Sequence, residues 1–116
     1  MIPGHAQSLA RLAELSRLLD KATDDIAEID EEAVKAKAHY EVTYARAFIN
    51  AHGPVDTRKQ IATIETANEN LQAELTAAKH RAARERIRTL AIQIEVGRSL
   101  SSAHKTQWTA EPTGQI

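Results

Sequence analysis

The sequence contains no cysteine, so it can build neither a disulfide framework nor a thiolate zinc site, and it is compatible with a reducing compartment. Aromatic residues are nearly missing too. One Phe, one Trp and two Tyr supply little of the ring surface that usually dominates core burial. The hydrophobic share of 42% comes largely from alanine, which argues against a thick globular core and for helix-on-helix contact along narrow seams. No apolar run approaches the ~20 residues of a membrane span, and Met1 to His5 lack the basic segment and apolar stretch of a secretion signal. The expectation is a cytoplasmic protein with no membrane partner. A net charge of -1 gives no global electrostatic case for nucleic acid.

Helix breakers are scarce and placed tellingly. Between Ala6 and Ala51, and again from Thr57 to about Ala103, the only glycine is Gly97 and there is no proline. His52-Gly53-Pro54 interrupts the middle, because glycine accepts the left-handed cap conformation and proline cannot continue a helix. Asp56 or Thr57 is then expected to cap the next helix with a side-chain oxygen. The predicted fold is all-α: an antiparallel two-helix hairpin over residues 1–105, with helices at about 6–51 and 57–103 and a turn at 52–56. Residues 106–116 carry Pro112 and Gly114 without periodicity and read as a tail.

Leu12, Leu15, Leu19, Ala22, Ile26, Ile29, Ala33, Ala36, Tyr40, Thr43 and Ala47 follow alternating three- and four-residue steps, which is a heptad seam. In the second helix the spacing gives Ile61, Ile64, Asn68, Leu71, Leu75 and Ala78. It then resumes in a new phase as Ala83, Ile87, Leu90, Ile94, Gly97 and Ser101, so a stutter is expected near Lys79 to Ala83. A short turn would set residue i opposite roughly residue 107 minus i. Charge supports this pairing. Seven acids against Lys21 occupy Asp20 to Glu32, while Lys79, Arg81, Arg84 and Arg86 against Glu85 occupy the facing segment. Exposed pairs of this kind contribute only about 0–1 kcal/mol each.

A second stripe lies off the seam: Ala27, Val34, Ala38, Val42, Ala45 and Ile49, then Ile92, Val96 and Ala103. A second hairpin would cover it, giving a homodimeric four-helix bundle. The plainer alternative is surface alanine selected for helix propensity. Trp108, alone in the tail region, either packs against Leu9 or Leu12 or anchors a partner.

Catalytic and metal signatures fail. None of His5, His39, His52, His80 and His104 has an i, i+3 or i, i+4 ligand partner of the helix-site type, and no Gly-rich phosphate loop or nucleophile elbow is present. A non-enzymatic protein without cofactor or metal is expected. The basic stretch holding Arg81, Arg84, Arg88, Arg98 and Lys105 is the remaining candidate, able to touch phosphates or an acidic protein surface. With no interleaved aromatics for base stacking, pairing with the acidic first helix competes with that role.

The stretches Ala38-His39-Tyr40-Glu41-Val42 through Ala47-Phe48, Gly53-Pro54-Val55-Asp56-Thr57-Arg58-Lys59, and Arg84-Glu85-Arg86-Ile87-Arg88-Thr89-Leu90 leading to Glu95-Val96-Gly97-Arg98-Ser99 resemble small helical proteins encoded by bacteriophages and prophages of Gram-positive bacteria, particularly actinobacteria. That resemblance implies an accessory role near early recombination and single-strand-binding functions, with a host or phage protein as partner in the bacterial cytoplasm. It brings no active site. The chain is similar in length and two-helix plan to secreted WXG-type hairpins, but their Trp-x-Gly turn is replaced here by His52-Gly53-Pro54, and their export motif has no counterpart after Lys105. The expected function is binding a replication, recombination or host protein through a helical surface. Direct DNA contact and a structural or virion role are the alternatives.

Overall fold

The computed structural model describes the backbone of residues 4–110 and the side chains of residues 4–106. Every regular element among them is helical: α1 (His5–Asn50), α2 (Val55–Glu65) and α3 (Ala67–Ala110). At the start of α1 the Gly4 N–H donates to Gln7 Oε1 at 2.9 Å, satisfying a donor that has no partner within the helix. Gly53 has φ 112°, a conformation that side-chain-bearing residues rarely adopt, and Pro54 follows in an extended conformation as the cap of α2. The side-chain cap expected from Asp56 or Thr57 is not made. Asp56 lies inside the first turn instead, where its charge complements the helix dipole.

The second arm is two helices rather than one. At Thr66 the backbone leaves helical geometry (φ -108°, ψ 17°), and Thr66 Oγ1 donates to the Ala62 carbonyl at 2.6 Å. A threonine hydroxyl bonding back four residues competes weakly with the helix ladder, but Thr43, Thr63 and Thr76 make the same bond inside continuous helix, so the bond accompanies this interruption and does not by itself cause it. Thr66 and Ala62 are 1% and 0% exposed, so the interruption falls where the arm packs most closely. At the other end α3 continues through Thr106 to Ala110, past the limit expected for the helix. Residues 111–116 of the expected tail lie outside the described residues.

All eleven α1 positions of the expected seam are buried or half-buried. In the second arm the positions from Ala83 to Ser101 agree as well, but Ile64, Asn68, Leu71, Leu75 and Ala78 are exposed. There is no stutter. A single unbroken run of three- and four-residue steps, Ala62, Thr66, Glu69, Ala73, Thr76, His80, Ala83, Ile87, Leu90, Ile94, Gly97, Ser101 and His104, is never exposed. The aliphatic positions from Ile64 to Leu75 belong to a different face of the helix, and their bulk disguised the small and polar residues that pack.

The chain divides into two units. In the terminal unit (Met1–Asp24 with Glu85–Ile116), Leu15, Leu90 and Ile94 are 3–6% exposed, with Leu12, Leu18, Leu19 and Ala22 packed against them. Gly97 makes room for this packing, since a Cβ there would stand 2.7 Å from Leu12 Cδ2. In the turn unit (Asp25–Arg84), residues before and after the 50–55 connection touch one another, Phe48 against Arg58 and Glu32 beside Lys79. The Arg58 guanidinium lies 4.3 Å from the centroid of the Phe48 ring, and its Nε and Nη2 donate to the Phe48 carbonyl at 3.2 and 3.1 Å.

Leu90→Ala is expected to lower stability by about 2–4 kcal/mol through lost burial and a residual cavity, and Ala62→Leu by about 1–3 kcal/mol through overpacking. Val42→Ala, on an exposed face, should stay within about 0.5 kcal/mol. Urea titrations followed by circular dichroism check this order.

Candidate interaction surfaces

Two aliphatic faces of the turn unit point to solvent. On α1, Val34, Val42 and Ile49 are 60%, 48% and 70% exposed, and Ala38 and Ala45 lie exposed between them. At ~100° per residue this stripe lies opposite the packed seam of the same helix. On α2 and α3, Ile64, Leu71 and Leu75 are 76%, 57% and 55% exposed, and Ala78 and Ala82 continue their row. The packed side of the same segment carries Thr66, Glu69, Thr76 and His80. The unit therefore places more large aliphatic side chains outside than in its own seam. In the terminal unit, Ile92 and Val96 are 57% and 55% exposed. Each residue expected in the off-seam stripe is thus at the surface. The α2 and α3 face was missed because its leucines were assigned to the seam; the second unbroken spacing through Ala62 and Thr66 was the signal that separates the two.

Between the arms of the turn unit runs a shallow groove of about 470 Å³. Half-buried Ala33, Ala73, Ala77, Tyr40 and His80 line it, together with exposed Asp30, Lys37, Glu41, Glu74 and Arg81. His80 Nε2 stands 3.3 Å from Asp30 Oδ1, and Lys79 Nζ 3.5 Å from Glu32 Oε2. One acid of the expected acidic block thus meets one lysine of the basic block. Glu32 reaches Lys79, four residues beyond the position 75 that the simple pairing gives. The groove holds no nucleophile paired with a base, and among the described residues no three His, Asp or Glu side chains gather as metal ligands. No helix among the described residues is long and apolar enough to cross a membrane.

The basic stretch is partly neutralised along its own helix. Arg88 Nη1 is 3.3 Å from Glu85 and Arg98 Nη1 is 3.0 Å from Glu95, each across one turn. Arg81 and Arg84 form no ion pair among the described residues, whereas Lys105 has interactions of its own. The same local pattern recurs on α1. The hydrogen bond from Arg17 to Glu14, at 2.7 Å, holds the Glu14 carboxyl below its usual range, and Lys35 does the same for Glu31 at 2.8 Å. Trp108 falls within α3, but its side chain lies outside the described set.

Comparison with known proteins finds no family model, no curated protein and no solved structure that matches the chain. Its function must be read from its own surfaces.

The Glu32 and Lys79 side chains are 48% and 60% exposed, so solvent screens their attraction. A double-mutant cycle with Glu32→Gln and Lys79→Gln is expected to return a coupling of about 0.2–1 kcal/mol. A chain in which these arms did not lie together would return zero at every salt concentration, whereas this coupling should shrink as salt is added.

Proposed function

We propose that the chain is a non-enzymatic helical hairpin that works by binding other proteins through its outward aliphatic faces, in the phage or prophage accessory role that the resemblance implies. The observation that carries this reading is the exposure of Val34, Val42 and Ile49 on one helix and of Ile64, Leu71 and Leu75 on the other arm. Isolated exposed aliphatics are ordinary on any surface, but rows of them at three- and four-residue steps on a helix are what a partner helix recognises. Small residues within the rows, Ala38, Ala45, Ala78 and Ala82, permit close approach of such a helix. The partner expected from the resemblance is a host or phage protein of replication or recombination.

Charge substitutions on α1 test the reading. A Val34→Glu, Val42→Glu, Ile49→Glu variant should keep its helix content, because all three positions are exposed. Used as bait beside the wild-type chain in the cell that encodes it, the variant should lose proteins that the wild type retains. Identical protein sets from both baits would remove α1 as a binding face.

Direct DNA contact is the second reading, favoured by the unpaired Arg81 and Arg84. Against it stand the Arg88 and Arg98 pairs with neighbouring glutamates and the net charge of -1. A mobility-shift titration at ~50 mM salt, where counterion release most favours binding, is expected to show no retarded species. Retardation that is lost on Arg81→Ala and Arg84→Ala would move DNA to first place.

A further inference from the structure

The outward face of α3 in the turn unit carries a charge pattern beside its apolar row. Leu71, Leu75, Ala78 and Ala82 occupy the two apolar positions of successive heptads, and the residues immediately before Leu75 and Ala82 are Glu74 and Arg81. Glu74 and Arg81, which also edge the groove between the arms, are one heptad apart on the same flank of the stripe, opposite in charge, exposed, and in no ion pair among the described residues. We propose that this face binds the same face of a second copy of the chain, the two α3 helices running antiparallel, with Glu74 of each copy paired to Arg81 of the other. This deepens the protein-binding reading above and rests on it.

Symmetry and charge select the arrangement. A two-fold axis perpendicular to two antiparallel helices brings the same flank of each stripe together. Aligning Glu74 with Arg81 of the second copy sets Leu75 against Ala78 and Leu71 against Ala82, so each large side chain meets a small one and the helices can approach closely. The pair forms twice by symmetry. Sliding one helix so that Leu71 meets Leu75 would place Glu74 against Glu74 of the other copy. Parallel pairing would place Glu74 beside Lys79 but Arg81 beside Arg86 of the other copy, since facing flank positions are then five residues apart. The shifted register sets like charges together at Glu74, and the parallel one does so at Arg81. Of the three arrangements, the antiparallel register with Glu74 against Arg81 gives both side chains an opposite partner in the second copy, and charge patterns beside an apolar stripe set partner choice and orientation in this way.

The test is the mass of the full chain in solution, measured by light scattering and sedimentation equilibrium, with circular dichroism confirming helix content in every variant. The wild type should be a dimer, and the double variant Leu71→Glu, Leu75→Glu, altered only at positions 57% and 55% exposed, should be a folded monomer. Glu74→Arg and Arg81→Glu should each weaken the dimer by roughly tenfold, because each breaks two pairs and sets like charges together. The combined variant Glu74→Arg, Arg81→Glu should recover wild-type affinity. A monomeric wild type, a dimer indifferent to the leucine substitutions, or a combined variant no tighter than the single ones would overturn the proposal. The α1 bait experiment reads a different face, so it can succeed or fail independently of this result.

Discussion

Arg58 fixes how the chain turns back. The last turn of α1 has no basic residue of its own to meet its free carbonyls, and such carbonyls need a partner when they are shielded from water. Arg58, from the first turns of α2, supplies it by donating twice to the Phe48 carbonyl while its guanidinium plane covers the Phe48 ring. A cation at a helix C-terminus is favourable for the dipole, and the stacked ring adds attraction in a site where both groups are half-buried. Gly53 permits the connection between α1 and α2, and Arg58 ties the first turns of α2 to the last turn of α1.

Along the second arm, packing and bulk are uncoupled. From Ala62 to Ala83 the seam positions are alanine, threonine, glutamate and histidine, while Ile64, Leu71 and Leu75 stand outside. Small side chains let two backbones come close, and the contacts they lose in area are regained partly through proximity. One cost is visible in Glu69, where Oε2 is shielded from solvent without a hydrogen-bond partner. A sequence that accepts such a seam while displaying leucines outward has divided two tasks between two faces of one helix.

This division also explains what could be read from the sequence. In α1 the seam positions from Leu12 to Ile29 are aliphatic and their spacing is unambiguous, so every one of them packs as expected. In the second arm the largest residues from Ile64 to Leu75 pointed to the wrong face, because pattern reading weights bulk and the seam there is built from residues that carry little. The interruption at Thr66 was illegible because threonine is no helix breaker: Thr43, Thr63 and Thr76 bond back to the carbonyl four residues earlier, as Thr66 does, without ending a helix. The breakers at Gly53 and Pro54 were legible because they act through the backbone itself. Of the surfaces, the α1 stripe could be read from spacing, whereas the flank formed by Glu74 and Arg81 became visible only once the outward face of α3 was known.

The leucine-rich contacts of the terminal unit occupy the stretch of chain farthest from the reversal. Arg58 and Phe48 are ten residues apart, so bringing them together restricts few conformations. Leu15 and Leu90 are joined only through the whole intervening chain, and closing a loop several times longer costs about 2 kcal/mol more in entropy. Once the turn has formed, each successive contact inherits part of that closure, as teeth of a zipper do. Heavy aliphatic anchors therefore stand where the arms would otherwise fray, and the small-residue seam suffices where the covalent turn already keeps them together.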